Sequence, residues 1–379
     1  MTFVFWFSVA AILYAYFGYA VVIWTAAALF GKDCARRPDS ISVSIIVTAY
    51  NEGTNIQRKI ENLLATNYAR GPIEYICVSD GSTDNTAEIL RRYESSVLRV
   101  IVNTDRRGKE SCQKQAIDAS NGEVLVFTDV GTTFESSAIG TLVENFADTS
   151  VGCVSSTDKV LTSNGEIDGE GLYVKYEMWL RTLESRLGSL IGLSGSFFAI
   201  RKILCDNWAT DRDSDFLAAA NTVQRGMRAI ADPRTIGYYR SLESPKAEYA
   251  RKVRTVARGM RAFFRNISAI NPLTHGRFAL QLLQHKLLRW LVPIFMITAL
   301  VSNAALVAQS ETNYALPLFV LQVGFYAAAT FGGGLSNRRA FAALRIAAFF
   351  VTANVAILTA WYRFLTGAEF TTWQPSRRA

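Results

Sequence analysis

The chain has 379 residues, of which 50% are hydrophobic, and its formal net charge is +8. Two histidines and five scattered cysteines without a CxxC pair exclude a histidine-based catalytic site in the central region, a zinc site and a disulfide framework. We attribute the excess of basic residues to binding of anionic lipid headgroups and phosphate groups, and predict no nucleic-acid partner.

The first predicted element is a membrane helix at the N-terminus. Residues 3–30 carry no charged side chain and, at about 1.5 Å per residue, can cross roughly 30 Å of hydrocarbon. A cleaved signal peptide is the alternative, but it would need a basic start and a shorter apolar stretch. Lys32, Arg36 and Arg37 follow the apolar run and favour a cytoplasmic position for the next domain. We therefore predict a retained anchor over 1–31.

Strand and helix patterns alternate in the following region, over residues 40–240. Strands are predicted over Ile41–Ala49, Ile73–Ser79, Val97–Asn103 and Glu123–Thr128, and helices over Glu52–Thr66, Asp84–Tyr93 and Lys109–Ala119. Such repeats predict an α/β domain with a mostly parallel sheet and helices on both faces. Ligands of these sheets bind at the carboxyl ends of the strands.

Polar residues follow three of these predicted strands directly. The stretch TAYNE ends the first strand, SDGSTD ends the second and TDVG ends the fourth. Because the ends of parallel strands share one rim of a sheet, Asp80 and Asp129 are expected to lie near each other. Thr83 and Asp84 are interpreted instead as helix-capping residues.

Amphipathic and apolar stretches make up the C-terminal part. Apolar and basic residues alternate over 246–285, with a break near Asn271, which predicts helices on the cytoplasmic membrane face. About three membrane helices are predicted within 286–366, near 287–308, 314–334 and 340–365, and a tail covers 367–379. The number of crossings places the tail outside, whereas Arg377 and Arg378 favour the cytoplasm, so its side stays open.

The ordered motifs resemble those of family 2 glycosyltransferases. VTAYNE, VSDGSTDNT, RRGKESCQKQAIDASNGEVLVFTDV and GLSGSFFAIRK lie between about Ile41 and Arg254. That family has the GT-A fold, which is Rossmann-like, and includes cellulose, hyaluronan and chitin synthases. The resemblance implies a multi-pass protein of the plasma (inner) membrane with a cytoplasmic catalytic domain. It also implies a nucleotide-sugar donor, a divalent cation (Mg²⁺ or Mn²⁺), membrane lipids and a carbohydrate or lipid-linked acceptor.

The resemblance assigns donor-binding roles to residues at the strand ends. Tyr50, Glu52 and Asp80 match the positions that hold the nucleotide, and a carboxylate can accept hydrogen bonds from a base N–H or from ribose hydroxyls. Lys109 follows a glycine at a predicted helix start, where a cation and free N–H groups suit a diphosphate. A solvated surface lysine is the alternative interpretation.

Two further donor contacts carry departures from the family pattern. Asp129 matches the first Asp of the DxD motif, which binds nucleotide and metal, but Gly131 stands at the second position. Mg²⁺ accepts such a site, because phosphate oxygens and waters fill its coordination sphere. Arg254 matches the Arg of the QxxRW motif and is expected to stabilise the departing diphosphate. Arg251 and Thr255 replace the Gln and Trp of that motif, which puts processive elongation in doubt.

The resemblance also identifies a catalytic base and an acceptor segment. The triplet 213–215 matches the TED motif, and its spacing to the following QRG assigns the base to Asp215. Helix capping is the alternative role, which Asp213 or Ser214 would fill equally well. Gly195, Ser196 and Phe197 resemble the acceptor-side segment of the family, where small residues let a sugar approach the backbone.

Several functions stay open at this stage. The first is an inverting hexosyltransferase that builds cell-surface polysaccharide, with a homo-oligomer or export partner as an additional possibility. Transfer of one sugar to a polyprenyl phosphate or glycolipid is an alternative. A non-catalytic scaffolding subunit is another, although Asp80, Asp129, Asp215 and Arg254 are all retained. A transporter is disfavoured because the membrane segments are expected to lack buried charges.

Overall fold

The computed structural model describes residues 1–161, 172–211, 214–240, 245–266, 271–310, 312–332 and 342–367. They form two compact units. One contains Met1–Val22, Glu248–Met260 and Leu280–Ala368, and the other contains Ile23–Ala247 and Arg261–Ala279. The sequence-based boundaries of the soluble domain and the membrane region stay predictions. The predicted tail lies outside the described residues, apart from its first residue.

The second unit contains one mixed sheet. Its eight strands are β1 Val43–Ala49, β2 Ile73–Asp80, β3 Leu98–Asn103, β4 Val124–Thr128, β5 Thr132–Thr133, β6 Val151–Leu161, β7 Phe197–Arg201 and β8 Arg228–Arg240. They lie in the order β3-β2-β1-β4-β7-β6-β8-β5. The first four are parallel, and β7 runs antiparallel to both β4 and β6. The four predicted strands are thus confirmed, and so is the α/β class.

Helices occupy most of the remaining described chain. They are α1 Thr2–Leu13, α2 Tyr19–Phe30, α3 Ile56–Leu64, α4 Thr86–Arg92, α5 Lys109–Ala119, α6 Ala138–Val143, α7 Leu172–Leu187, α8 Ser214–Gln224, α9 Pro245–Arg265, α10 Pro272–Gln281, α11 Leu288–Gln309, α12 Ala315–Gly332 and α13 Ala342–Leu365. Helix α3 begins later than the spacing predicted, because Glu52 lies in a loop whose N–H donates to Thr86 Oγ1 at 2.8 Å.

The core of this unit lies on both faces of the sheet. Ile45 packs in a cluster with Ile56 and Ile60 of α3, whereas its neighbour Ile46 packs in a second cluster with Ala116 of α5. Successive side chains of a strand point to opposite faces, so a strand covered on both sides is apolar throughout. This burial explains the continuous apolar run of β1.

Long apolar helices account for the predicted membrane segments. Three helices in the described parts of the chain are long and apolar enough to cross a membrane: Thr2–Phe30, Pro272–Gln309 and Leu344–Leu365. A shorter apolar helix spans Ala315–Thr330. The predicted N-terminal span and the three C-terminal segments therefore all correspond to apolar helices.

A buried charge corrects the expectation of uncharged membrane segments. Arg289 is buried at the start of α11, and its Nε donates to the carbonyl oxygen of Ala15 at 3.4 Å. Ala15 lies in a π-helical turn, Tyr14–Gly18, between α1 and α2. A widened turn perturbs the regular pattern of carbonyl hydrogen bonds, which makes such an oxygen available to a donor from another helix.

The close approach of Gly122 to β1 provides a test of the sheet packing. A Cβ at Gly122 would lie 2.5 Å from the Ser44 nitrogen and 2.7 Å from the Val43 carbonyl carbon. We therefore expect Gly122→Ala to destabilise the unit by about 1–3 kcal/mol through overpacking. Thermal unfolding in detergent measures the effect.

The matched control for this substitution is Gly140→Ala. A Cβ at Gly140 in α6 would meet no atom within 4 Å. Alanine is the better helix former by roughly 0.5–1 kcal/mol, so this variant should unfold at the same temperature or slightly higher. Equal melting temperatures for the two variants would contradict the close approach.

Candidate active site

The loops after β1 and β2 are tied to each other by side chains. Asn51 has a φ of 51°, and its Oδ1 accepts a hydrogen bond from the Thr83 N–H at 2.8 Å. The Asp84 carboxylate accepts from the N–H of Gly53 at 2.9 Å and of Thr86 at 3.0 Å. These bonds hold the two loops at one rim of the sheet. The prediction of Thr83 and Asp84 as helix caps is wrong, because α4 begins at Thr86 with Asn85 at its N-cap and no side-chain capping bond.

Asp80 fixes the backbone that leads into α5. Its side chain is buried, and its oxygens accept from the N–H of Arg107 at 2.6 Å and of Gly108 at 3.0 Å. Glu52 is also buried, and its Oε2 accepts from Asn55 Nδ2 at 3.0 Å. The nucleotide-binding roles of both carboxylates stay predictions.

Arg106 is a residue of this rim that the sequence reasoning did not select. Its guanidinium lies 3.8 Å from the ring centroid of Tyr50. Its Nε and Nη2 atoms are buried and have no hydrogen-bond partner among the described residues. The stack fixes the Tyr50 ring, for which nucleotide binding stays a prediction. The basic pair before the GK dipeptide is the signal that would have pointed to Arg106.

Lys109 and Asp129 form an ion pair between α5 and the end of β4. The Lys109 Nζ lies 2.6 Å from Asp129 Oδ1 and 3.2 Å from the Gly195 carbonyl oxygen. Burial disfavours the ammonium, but the carboxylates of Asp129, Glu110 and Asp215 together outweigh burial, so the pKa of Lys109 lies above its ordinary value. Lys109 begins α5 as predicted, and these contacts exclude the alternative of a solvated surface lysine.

The segment before β7 lies between this ion pair and Asp215. The Ser196 carbonyl oxygen accepts from the Asp129 N–H at 3.0 Å. A Cβ at Gly195 would lie 3.1 Å from Asp215 Oδ2. Lys109, Asp129, Gly195, Ser196 and Asp215 are therefore brought together, although more than eighty residues separate the first from the last.

Phe197 occupies a different environment from its predicted neighbours. Its side chain is 0% exposed and stacks on Phe134, with 4.8 Å between the ring centroids. An acceptor could meet only the backbone of this residue, so the structure does not favour the predicted acceptor contact for the Phe197 side chain. The side chain belongs to the core because β7 is covered on both faces.

Asp215 lies in the first turn of α8, where a base was predicted. Its Oδ1 accepts from the Phe216 N–H at 2.9 Å, and its carbonyl oxygen accepts from the Leu193 N–H at 3.4 Å. Its charge also contributes to the raised pKa of Lys109. Asp213, one of the other candidate caps, lies outside the described residues, and the catalytic role of Asp215 stays a prediction.

Arg254 belongs to the other compact unit. It lies in α9, and its predicted contact with a diphosphate stays a prediction. Arg251, which replaces the Gln of the family motif, donates to Glu248 from Nε at 3.0 Å and from Nη2 at 2.6 Å. This local ion pair on α9 involves two of the nitrogens of Arg251.

Lys59 is a second residue that sequence reasoning missed. Its fully buried Nζ donates to Thr128 Oγ1 at 2.8 Å and to the Thr132 carbonyl oxygen at 2.6 Å. It therefore connects both ends of the turn that carries Asp129. Burial lowers the pKa of Lys59 from 10.5 to about 7, and the charge of Asp129 opposes only part of this drop. A lysine on the apolar face of a predicted helix is the signal that could have found it.

Few side chains at the site could bind a metal ion. Within the described ranges, no group of three or more His, Cys, Asp or Glu side chains could hold a metal ion. All five cysteines are free, as predicted. A cation held by one carboxylate and by the oxygens of a bound diphosphate is compatible with this small set of side chains, because Mg²⁺ commonly binds in that way.

Comparisons of sequence and fold indicate which proteins this chain is similar to. Residues 44–209 match the model of the family described as Glycosyl transferase family 2. A mannosyltransferase from Pyrobaculum calidifontis, solved in complex with GDP-Man and Mn²⁺, has the same fold. Its TM-score is 0.75 at 22% identity, over 97% of this chain and 100% of that one. Residues 44–209 thus resemble a family 2 glycosyltransferase domain, and the chain has the GT-A fold.

Curated relatives include enzymes that build carbohydrates. The poly-beta-1,6-N-acetyl-D-glucosamine synthase of Staphylococcus aureus is 23% identical over 250 residues, which are 64% of this chain and 60% of the synthase. Glycosyltransferase AglE of Haloferax volcanii is 30% identical over 89 residues, which are 23% of this chain and 29% of AglE. The match thus spans 60% of the length of the synthase.

The buried ammonium of Lys59 generates a pH prediction. Its folded pKa of about 7 lies below the ordinary 10.5, so the unfolded chain binds more protons at this site between those values. Wild type should therefore gain stability relative to Lys59→Met as the pH rises from 7 to 9, by about 1.4 kcal/mol per unit. Melting temperatures of both proteins at pH 6, 7, 8 and 9 measure this difference.

The control for this series is Lys114→Met. Lys114 lies on the outer surface of α5 and pairs with Asp118 one turn later. Its loss removes only an exposed ion pair, so the melting curve should follow wild type at every pH. A difference between wild type and Lys59→Met that stays constant with pH would contradict the assignment.

Proposed function

We propose that the chain is an inverting glycosyltransferase that uses a nucleotide-sugar, with UDP as the predicted nucleotide, at the cytoplasmic membrane face. Its acceptor is a carbohydrate of a cell-surface or extracellular polysaccharide. One observation carries the proposal. Lys109, which is paired with Asp129, donates to the Gly195 carbonyl oxygen at 3.2 Å, and a Cβ at Gly195 would lie 3.1 Å from Asp215 Oδ2. The groups proposed to bind the phosphates, Lys109 and Asp129, and the proposed base, Asp215, therefore lie close to the same residue, Gly195.

The arrangement suits a single displacement at the anomeric carbon. Asp215 accepts the proton of an acceptor hydroxyl, whose oxygen forms the new bond to that carbon. The bond from the anomeric carbon to the phosphate oxygen breaks, and the nucleoside diphosphate leaves with the electron pair. Lys109 stabilises the negative charge on the departing diphosphate, and Arg254 is proposed to do the same. Inversion follows because the base and the leaving group act on opposite faces of the sugar.

A divalent cation is proposed as part of the donor site. Asp129 would hold it together with the diphosphate oxygens, and the cation would neutralise charge on the leaving group. The mannosyltransferase that shares the fold was solved with Mn²⁺. Because Gly131 leaves a single carboxylate in the motif, the motif does not discriminate between metal ions. We therefore propose either Mg²⁺ or Mn²⁺.

The acceptor has a second candidate with its own supporting observation. Thr255 stands where chain-elongating relatives are expected to carry a Trp that binds the growing polymer. Transfer of one sugar to a membrane lipid is therefore the alternative, and the long apolar helices are compatible with such an acceptor. The size of a labelled product on a gel separates a polymer from a single addition.

Replacement of the proposed base provides the central test. In detergent or nanodiscs, Asp215→Asn should slow nucleotide release from the active donor by about 10²- to 10⁴-fold, because the amide cannot accept the proton. Nucleotide binding should remain. Asp206→Asn is the matched control, since Asp206 is exposed and only lies 3.6 Å from Arg225. A panel of UDP- and GDP-sugars identifies the donor.

Removal of the divalent cation tests the second part of the proposal. Excess EDTA should abolish nucleotide release, and added Mg²⁺ or Mn²⁺ should restore it, because the diphosphate would otherwise depart without charge neutralisation. Full activity in EDTA would contradict the metal site. Absence of both nucleotide binding and release, with lipid extract supplied, would instead favour a scaffolding subunit.

A further inference from the structure

Strand β6 holds the acceptor-side segment through side chains rather than through the sheet. The backbone pairing of β6 with β7 ends at Ser155 and Phe198, and β6 has a register shift just beyond that point. At this last pair, Ser155 Oγ accepts from the Ser194 N–H at 2.7 Å, and one residue further Ser156 Oγ donates to the Phe197 carbonyl oxygen at 2.7 Å. Hydroxyl groups thus replace the missing backbone bonds.

Asp158 is the charged member of this set. Its Oδ2 accepts from Ser194 Oγ at 2.7 Å, and its Oδ1 accepts from Ser196 Oγ at 2.9 Å. These two serines flank Gly195, so one carboxylate holds the segment on both sides of the glycine. Hydrogen bonds to an ionised acceptor are stronger than neutral ones, which makes this contact the firmest of the group.

The half-buried carboxylate of Asp158 depends on these hydroxyl partners. Burial raises the pKa of Asp158, and the negative charge of Asp129 adds to the rise. The hydroxyls of Ser194 and Ser196 and the charge of Arg181 oppose it. Arg181 itself donates from Nη2 to Ser155 Oγ at 2.7 Å. A carboxylate in such surroundings binds donors tightly, because loss of one leaves its charge without compensation.

The held segment determines where the reacting groups lie. The Gly195 carbonyl oxygen meets the ammonium of Lys109, and the Ser196 carbonyl oxygen meets the N–H of Asp129. The α-carbon of Gly195 faces the carboxylate of Asp215. A shift of Gly195 would therefore change the separation between the phosphate side and the base, and transfer rates are sensitive to displacements of about 1 Å.

We propose that Asp158 is a positioning residue of sugar transfer, which acts through the hydroxyls of Ser194 and Ser196 to hold Gly195 between Lys109, Asp129 and Asp215. This inference rests on the proposed function for its kinetic consequence. Its structural consequence, an ordered segment 193–197, does not depend on the reaction.

The kinetic test uses Asp158→Ala, Ser194→Ala/Ser196→Ala and the triple variant in nanodiscs. Each should lower kcat on the order of 10²-fold and leave the KM of the donor within about three-fold, since alignment and not donor binding is lost. The triple variant should be no slower than Asp158→Ala alone, because both changes break the same contact. The proposal would be overturned if the loss of kcat in the triple variant were the product of the losses in the two component variants. It would also be overturned if the kcat of Asp158→Ala lay within two-fold of wild type.

Asp148→Ala is the matched control. Asp148 also accepts a serine hydroxyl, from Ser150 Oγ at 2.6 Å, but its other partners are the N–H groups of Ser150 and Ala35. Its kcat should equal that of wild type. Where Asp158→Ala does not fold, Asp158→Asn keeps the side-chain volume and takes its place, with the double serine variant beside it.

Hydrogen–deuterium exchange separates this inference from the proposed function. Amides of residues 193–197 should exchange on the order of tenfold faster in Asp158→Ala than in wild type, whereas those of β1 to β3 should not change. Unchanged exchange in 193–197 refutes the positioning role, whether or not wild type turns over a donor. Faster exchange in a protein without any transfer supports the positioning role and contradicts the proposed function alone.

Discussion

The antiparallel pairing of β7 with β4 is the constraint on which the candidate site depends. Thr128 lies opposite Phe197 in this pairing, so the start of β7 is adjacent to the end of β4. A parallel strand at this position would carry its carboxyl end there and its first residues at the far edge. The reversed direction therefore delivers Gly195 and Ser196 to the rim where Asp129 and Lys109 already lie.

The parallel half of the fold was readable from the sequence, and the antiparallel half was not. A buried parallel strand is apolar throughout and ends in polar residues, which identified β1, β2 and β4 and placed Asp80 and Asp129 at one rim. The direction of β7 cannot be inferred from its sequence, because its first four residues are apolar and buried on both faces. Only the family resemblance located its first residues, and it could not show that Phe197 is buried.

The missed residues share a physical cause. Lys59 and Asp158 are charged side chains whose partners are hydroxyls and carbonyl oxygens from distant parts of the chain, so no local pattern identifies those partners. A lysine in a helix or an aspartate in a strand normally suggests a solvated face. Their identification needed the register of β6 and the turn after β4, which are tertiary facts.

Charged groups that are buried, as Lys59 is, or half-buried, as Asp158 is, are costly to the fold. Their location indicates where the backbone must be held in a defined position. Lys59 connects the two ends of the turn that carries Asp129, and Asp158 holds the segment that contacts it from β7. Apolar residues could fill the same volume with less desolvation, but they would not fix the direction of a backbone N–H or carbonyl group. The Asp129 turn is thus set from two sides by directional bonds. Because Gly131 leaves only one carboxylate in the motif, the orientation of that single group decides how a diphosphate and its cation would be held.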